Sequence, residues 1–208
     1  MDDARATVFV IDDDIDVRKA VLRLLRAARI DAIGFASPPE FLEAPRPKSI
    51  GCILLDVAMP AMSGPELHRA LDSHGIDYPV IYLSGTATVG ITVEAMKKGA
   101  LDFLEKPFDY PRLLPLIEKA FAKNREQRAT ENRNAEIRER YLELSNRESE
   151  VMRHVVRGRL NKQIASDLGI TLKTVKRHRG HMMAKMKVRS VAELVRLCDV
   201  AGLANDNP

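Results

Sequence analysis

Short apolar runs alternate with amphipathic stretches along the first half of the chain. The runs short enough to be buried strands are residues 7–11, 31–35, 52–55, 80–83 and 102–104. Between them, apolar residues return at the spacing of a helix that buries one face, as in residues 17–25, 67–71 and 89–96. Strands that alternate with such helices predict an α/β doubly wound domain around a parallel five-stranded sheet.

The second half of the chain shows helical periods and no convincing strand. Pro111 suits the first turn of a helix, and residues 122–140 contain no glycine or proline and few apolar residues. We therefore expect that helix to continue as a solvated helix or hinge between two domains. Glu136 and Arg140 form a favourable pair one turn apart. Further helices are predicted at residues 147–156, 162–168, 172–186 and 191–201. The pattern predicts one domain at 1–121, a helical linker at 122–143 and an all-α four-helix domain at 144–208.

Composition narrows the class of protein. The chain has 208 residues, 45% hydrophobic and 30% charged, which is typical of one or two globular domains and excludes fibrous or wholly disordered chains. No apolar run approaches the roughly 18 residues that span a bilayer, and the first residues lack the start of a secretory signal, so we expect a cytoplasmic protein. Cys52 and Cys198 lie far apart inside apolar segments, which predicts buried reduced thiols rather than a disulfide or zinc site.

Charge is distributed unevenly over a chain whose net charge is +4. Residues 1–124 carry 15 basic and 18 acidic side chains, whereas residues 125–208 carry 18 and 11. Residues 151–198 carry 12 basic and 2 acidic side chains, which is the excess of positive charge expected of a surface that binds a polyanion. Basic helices also occur because lysine and arginine are well solvated, so charge alone leaves both interpretations open.

Acidic and phosphate-binding residue types gather at one edge of the predicted sheet, where the strands end. These residues are Asp12, Asp13, Asp56, Ser84 and Lys106. Ligands of doubly wound sheets bind at this edge, and converging carboxylates repel unless a cation holds them ionised. Because oxygen ligands suit Mg²⁺, the set predicts a magnesium site that supports phosphoryl transfer to a carboxylate. The alternative is a helix N-cap, formed by Asp14 or Asp16.

These residues resemble the receiver domain of two-component response regulators. The matching segments are Val10-Ile11-Asp12-Asp13, Leu54-Leu55-Asp56-Val57-Ala58-Met59-Pro60 with Ser63-Gly64, Leu83-Ser84-Gly85 and Phe103-Leu104-Glu105-Lys106-Pro107-Phe108. The resemblance implies that Asp56 is the phospho-acceptor and that Ser84 and Lys106 contact the phosphoryl group. It implies Mg²⁺ coordination by Asp13, Asp56 and the carbonyl of Ala58, while Asp12 acts partly through water. Phe103 takes the position of an aromatic switch.

Basic residues cluster on the helix predicted at 172–186. Such a helix fits the second member of a helix-turn-helix, which enters the major groove, and either Thr171 or Thr174 can cap it. The chain from 144 to 197 resembles the LuxR-type DNA-binding domain. The matching segments are Leu144-Ser145-Asn146-Arg147-Glu148-Ser149-Glu150-Val151, Gly158, Asn161-Lys162-Gln163-Ile164-Ala165, Leu168-Gly169-Ile170, Thr174-Val175-Lys176 and His178.

The LuxR-type resemblance assigns roles to the basic residues. It implies that Lys176 and Arg177 face the bases of double-stranded DNA. Glu148 has a structural role and staples the first helix of this domain to the recognition helix. The remaining implied DNA contacts are the phosphate contacts Lys162, Thr174 and Arg179. Lys173, on the same basic helix, is a further candidate for DNA binding.

A receiver followed by a LuxR-type domain resembles the NarL/FixJ class of transcriptional response regulators, and the linker resembles its FixJ branch. The resemblance implies a sensor histidine kinase that phosphorylates Asp56, a homodimer of the phosphorylated chain, and binding to promoter DNA, with RNA polymerase as a further partner. Candidates for the face that pairs two receivers are Val89, Val93, Met96, Lys97 and Lys98, although ordinary helix packing explains the apolar ones equally well. No enzyme activity is expected beyond phosphoryl transfer and dephosphorylation at Asp56 itself. The alternative is a constitutive DNA-binding regulator whose receiver serves only as an interaction module.

Overall fold

The five apolar runs of the first half form one parallel sheet in a computed structural model, which describes residues 6–45, 49–85, 99–108 and 110–203. The strands are β1 (Thr7–Ile11), β2 (Asp31–Phe35), β3 (Gly51–Asp56), β4 (Val80–Ser84) and β5 (Asp102–Glu105). They lie in the order β2-β1-β3-β4-β5, and every neighbouring pair is parallel. The predicted doubly wound sheet is confirmed, with three strands slightly longer than expected.

The chain divides into two units, Met1–Gln127 and Arg128–Pro208. In the first unit, side chains alternate between the faces of the sheet and build a hydrophobic cluster on each. Phe9 and Ile53 belong to one cluster, and Val10 and Leu54 belong to the other. Because both faces of β1 and β3 are buried, these strands are continuous apolar runs, as expected in a parallel sheet.

Helices cover the sheet: α1 (Ile15–Ala27), α2 (Pro38–Glu43), α3 (Gly64–Ser73) and α4 (Tyr110–Leu142). Apolar spacing did not predict α2, which is six residues long and buries Pro38 and Phe41. Its signal is local, because Ser37 accepts a hydrogen bond from the N–H of Glu40 at the start of the helix. The helix predicted at 89–96 lies outside the described residues, as do the residues proposed for a receiver–receiver face, Val89, Val93, Met96, Lys97 and Lys98.

Helix α4 is continuous through most of the predicted linker. Glu136 and Arg140 form the expected pair, with 3.2 Å between Oε2 and Nη2. Two residues of this stretch are nevertheless buried. Asn124 accepts a hydrogen bond from the N–H of Gly51 at 3.0 Å and so ties α4 to the start of β3, whereas Ile137 packs in the core of the second unit. The stretch is therefore solvated only in part.

The second unit contains α5 (Asn146–Val156), α6 (Asn161–Asp167), α7 (Leu172–Lys185) and α8 (Val191–Ala201). Each begins and ends within one residue of its predicted bounds. Gly158 and Gly169 have positive φ angles of 75° and 64°, which allow the chain to turn after α5 and α6. Met182 and Met186 fill the core of this unit. No helix in the described part of the chain is long and apolar enough to cross a membrane.

Both cysteines are buried, as their apolar surroundings predict. Cys52 lies in β3 and Cys198 lies in α8. Burial raises the pKa of both thiols, and that of Cys198 rises to about 11. Both side chains therefore act as small apolar groups of their cores.

Candidate functional site

The ends of β1 and β3 place two carboxylates next to one lysine. Ile11 pairs with Leu55 in the sheet, so the next residues along each strand, Asp12 and Asp56, leave it side by side. Lys106, after β5, donates from Nζ to Asp12 Oδ2 and to Asp56 Oδ1, both at 2.6 Å. The two carboxylate side chains are only 1% and 8% exposed. The structure therefore brings together three of the predicted site residues.

One ammonium group does not neutralise two carboxylates. Burial raises the pKa of Asp12, because water that would stabilise its ionised form is excluded, and the hydrogen bond from Lys106 offsets only part of that effect. For Lys106, burial acts to lower the pKa, but hydrogen bonds to Asp12 and Asp56 outweigh it, so the pKa is raised. The cluster retains an excess of negative charge that suits a further cation.

The backbone after β3 holds Asp56 in a defined orientation. Asp56 Oδ2 accepts a hydrogen bond from the N–H of Ala58 at 2.9 Å. The chain then turns back, and the N–H of Gly64 donates to the carbonyl of Val57 at 3.0 Å. A Cβ atom on Gly64 would lie 2.3 Å from the carbonyl oxygen of Asp56, so only glycine fits at this position. Gly64 is thus part of the support of Asp56.

Asp13 differs in burial from Asp12 and Asp56. Its side chain is exposed, as is Ala58. Within the described ranges, no three Asp, Glu, His or Cys side chains are arranged to hold a metal ion. The N-cap alternative applies to Asp14, which accepts from the N–H groups of Asp16 and Val17 at 2.8 and 3.2 Å. Capping of α1 therefore does not use Asp12 or Asp13.

Ser84 and Phe103 lie on the last two strands of the sheet. Ser84 is the buried last residue of β4, and its carbonyl accepts from the N–H of Lys106 at 2.7 Å. This bond fixes the backbone of Lys106 beside β4. Phe103 in β5 is partly buried and packs against the cluster that contains Phe9.

Arg18 is a site residue that sequence analysis missed. Its Nη1 atom donates to the carbonyl oxygen of Asp12 at 2.5 Å and lies 3.4 Å from that of Asp13. Arg18 is one helical turn after Asp14, the cap of α1, so its side chain can reach back over the helix start. The spacing of four residues between Asp14 and Arg18 was the sequence feature that could have predicted this contact.

Helix α7 presents most of the predicted DNA contacts to solvent. Thr171 caps the helix, accepting from the N–H of Thr174 at 3.1 Å, which decides between the two capping candidates. Thr174 Oγ1 lies 2.8 Å from Thr171 Oγ1. The exposed predicted contacts are Lys173, Lys176 and Arg177 on α7 and Lys162 on α6.

Arg179 makes a contact inside the domain. Its Nη1 atom donates to Asn161 Oδ1 at 2.7 Å, and the side chain is partly buried. The bond joins α7 to the first residue of α6. Asn161 was not predicted in this role, because the two partners are 18 positions apart in the sequence and share no local pattern.

Glu148 staples α5 to α7, as the LuxR-type resemblance implies. Glu148 Oε2 accepts from Lys185 Nζ at 2.7 Å and from the N–H of Ser145 at 2.9 Å. The hydrogen bond from Lys185, followed by that from Ser145, lowers the pKa of Glu148 to about 2. His181 Nδ1 lies 3.7 Å from the other oxygen. The carboxylate is therefore held ionised between the helices.

Two protein-family descriptions match the chain, one in each half. Residues 8–118 match the response regulator receiver domain. Residues 142–198 match the bacterial regulatory proteins of the luxR family. Together they include both sites described above.

Relatives and solved structures match nearly the whole chain. Nodulation protein W of Bradyrhizobium diazoefficiens is 38% identical over 200 residues, which is 96% of this chain and 88% of the relative. Transcriptional regulatory protein FixJ of Azorhizobium caulinodans is 42% identical over 95% of this chain and 93% of its own length. The structure of response regulator StyR is 42% identical, with a TM-score of 0.78 over 94% of this chain and 99% of StyR. The structure of full-length FixJ from B. japonicum is 37% identical, with a TM-score of 0.57 over 96% of this chain and 98% of that FixJ chain.

Proposed function

This chain belongs to the two-component response regulators that join a receiver to a LuxR-type DNA-binding domain, and we propose that Asp56 is its phospho-acceptor and that phosphorylation drives two chains to pair on promoter DNA. The observation that carries the proposal is the buried cluster of Asp12, Asp56 and Lys106, in which two carboxylates share one ammonium. The receiver extends over residues 1–121, the helical linker over 122–143 and the DNA-binding domain over 144–208.

The chemistry is phosphoryl transfer from a histidine of the sensor kinase. A carboxylate oxygen of Asp56 attacks phosphorus, a P–O bond forms as the P–N bond breaks, and the histidine leaves with the electron pair. Lys106 neutralises charge on the transferred group, and the Ser84 hydroxyl donates a hydrogen bond to it. Water later cleaves the acyl phosphate and restores Asp56. This self-directed cycle is the only covalent chemistry proposed.

The donor set at this edge of the sheet fits Mg²⁺. It consists of hard oxygens alone, and the carboxylates carry more charge than Lys106 neutralises. Asp13, Asp56 and the carbonyl of Ala58 would hold the ion, with Asp12 acting partly through water. When bound, Mg²⁺ supplies positive charge to the oxygens of the transferred group.

The switch and the DNA contacts complete the proposal. Ser84 moves toward the phosphoryl group and the Phe103 ring turns inward, which repacks the face that pairs two receivers. Dimerisation then places two α7 helices on the half-sites of one operator. Lys176 and Arg177 read base edges, whereas Lys162, Thr174 and Arg179 bind phosphates. Lys173 is a further DNA contact. The DNA-bound dimer also interacts with RNA polymerase.

Sedimentation velocity of the full chain tests the phosphorylation step. The protein is measured with Mg²⁺ before and after addition of acetyl phosphate, beside the Asp56→Asn variant, and mass spectrometry records modification. We expect a monomer-to-dimer shift in the wild type and none in the variant. Modification without a shift would contradict phosphorylation-driven pairing. No modification would favour the constitutive regulator whose receiver is only an interaction module.

Fluorescence anisotropy on operator and random duplexes tests the DNA contacts. Arg177→Ala is expected to cost about 1–3 kcal/mol on the operator and little on random DNA, because base contacts carry the specificity. Lys162→Ala is expected to weaken binding to both duplexes alike, because phosphate contacts carry no sequence information. Equal losses on both duplexes for both variants would contradict this division.

A further inference from the structure

The loop after β1 is held through its backbone rather than through Asp13. The N–H of Asp12 donates to the carbonyl of Phe35 at 3.2 Å, and the N–H of Asp14 donates to Asp12 Oδ1 at 3.0 Å. The Asp13 carboxylate is exposed, so its position depends on the peptide groups on either side of it. Any group that fixes those peptides therefore controls where Asp13 stands.

Arg18 is the side chain that contacts both peptide carbonyls. Its Nη1 atom donates to the carbonyl of Asp12 at 2.5 Å and lies 3.4 Å from that of Asp13. Both carbonyls therefore point toward one guanidinium, which fixes the course of the chain through Asp13. Arg18 belongs to α1, so the contact ties the acidic loop to a rigid helix.

Gly34 in β2 makes room for the Arg18 side chain. A Cβ atom at this position would lie 3.3 Å from both Cγ and Cδ of Arg18 and 2.8 Å from Leu22 Cδ1. Gly34 does not have the positive φ that requires glycine, so the restriction there comes from the neighbouring side chains. Gly34 thus leaves a passage for the arginine to cross β2 on its way to the loop.

We propose that Arg18 is a positioning residue for divalent-cation binding, which it supports by fixing the backbone around Asp13 along the passage left by Gly34. The proposal rests on the magnesium site proposed above. It predicts that loss of the Arg18 side chain changes cation affinity in the direction opposite to the one that simple electrostatics predicts. Removing a positive charge near an acidic site should strengthen cation binding by Coulomb attraction, whereas loosening the loop should weaken it.

The test measures binding of Mn²⁺, an oxygen-seeking stand-in for Mg²⁺, by electron paramagnetic resonance of the free ion. The full-length wild type is compared with Arg18→Gln, Arg18→Lys and Gly34→Ala. The matched control is Arg23→Gln, which removes the same charge from an exposed position on the same helix. We expect about tenfold weaker binding for Arg18→Gln, an intermediate loss for Arg18→Lys, a loss for Gly34→Ala and no change for the control.

Two further measurements separate positioning from general destabilisation and from failure of the metal site. Amide hydrogen exchange without metal should quicken at residues 12–14 in Arg18→Gln, while the thermal unfolding midpoint stays near that of Arg23→Gln. Unchanged or tighter Mn²⁺ binding by Arg18→Gln would overturn the role of Arg18 alone. If the wild type binds no Mn²⁺, or if Asp13→Asn binds as well as the wild type, both the magnesium site and the role of Arg18 are overturned.

Discussion

Each unit of the molecule buries a carboxylate against a lysine, and the two carboxylates respond in opposite ways. Asp12 is 1% exposed and lies 2.6 Å from Lys106, yet its pKa is raised. Glu148 is 5% exposed and lies 2.7 Å from Lys185, and its pKa falls to about 2. A short ion pair therefore does not by itself tell whether a buried acid is stabilised.

The surroundings of the two pairs explain the difference. Burial has the largest effect on the pKa of Asp12, and Lys106, which is shared with Asp56, offsets only part of it, so the charges do not balance. Glu148 has Lys185 and the N–H of Ser145 as donors to one oxygen, so its charge is well satisfied. Balanced charge makes a structural staple between helices. Unbalanced charge costs stability and leaves a site that attracts a cation or a phosphoryl group.

Replacing each lysine should separate the two roles most strongly. We expect Lys106→Met to slow acetyl phosphate-dependent phosphorylation by about 100-fold, because a donor to the transferred group is lost. Lys185→Met should leave that rate unchanged and lower the stability of the second unit. Phosphorylation is followed by mass spectrometry over time. A similar slowing of phosphorylation in both variants would contradict the assignment of different roles to Lys106 and Lys185.

Neutralising Glu148 should destabilise the fold. Glu148→Gln loses its charge-assisted hydrogen bond with Lys185, and we expect the free energy of unfolding to fall by about 2 kcal/mol. Urea unfolding of the full chain followed by circular dichroism gives the value. Glu143→Gln is the control, because that exposed residue contacts Lys185 only through its backbone carbonyl. Equal stability of the two variants would contradict a structural role for the Glu148 side chain.

Acid should erase the contribution of Glu148. Its folded pKa of about 2 lies below the ordinary 4.5, so the stabilisation is complete above pH 4.5 and is lost as the pH falls toward 2. The stability difference between wild type and Glu148→Gln should therefore shrink over that interval. Urea midpoints measured at several pH values provide the check. A difference independent of pH would mean that ionisation of Glu148 is not its source.

Neutralising Asp12 should have the smallest effect on stability and the opposite sign. Because its folded pKa is raised, ionised Asp12 destabilises the fold at neutral pH. That cost starts to shrink as the pH falls to the raised pKa and is gone below the ordinary value of 3.8. We expect Asp12→Asn to raise the thermal unfolding midpoint slightly and to reduce phosphorylation. Calorimetry at neutral pH measures the shift. A lowered midpoint would mean that the pairing with Lys106 outweighs the cost of burial.

Much of this architecture follows from local sequence patterns. The strands are continuous apolar runs because both faces of the sheet are covered, and β1 and β2 have their predicted bounds. The helices of the second unit follow from apolar spacing and from turns at Gly158 and Gly169. The order of strands then explains why Asp12, Asp56 and Lys106 meet.

Contacts between distant positions escaped prediction. Helix α2 is too short for a helical period, so only its cap marks it. Arg18 and Gly34 are in contact because α1 packs on β2, and nothing in the local sequence around either residue predicts that contact. Arg179 resembles its basic neighbours in sequence, yet a bond to Asn161 draws it partly into the domain. Such contacts depend on how side chains pack in the folded chain, and the spacing of apolar residues along the sequence gives no information about that packing.

The bond between Asn124 and the N–H of Gly51 limits where this protein can be cut for domain exchange. A chimaeric regulator that joined residues 1–121 to a foreign output domain would discard Asn124 and leave the buried N–H without its acceptor, at a cost of about 1–3 kcal/mol. A junction after Gln127 keeps the asparagine, because the first unit extends to that residue. The six added residues thus determine whether the transplanted receiver retains its own strand β3 intact.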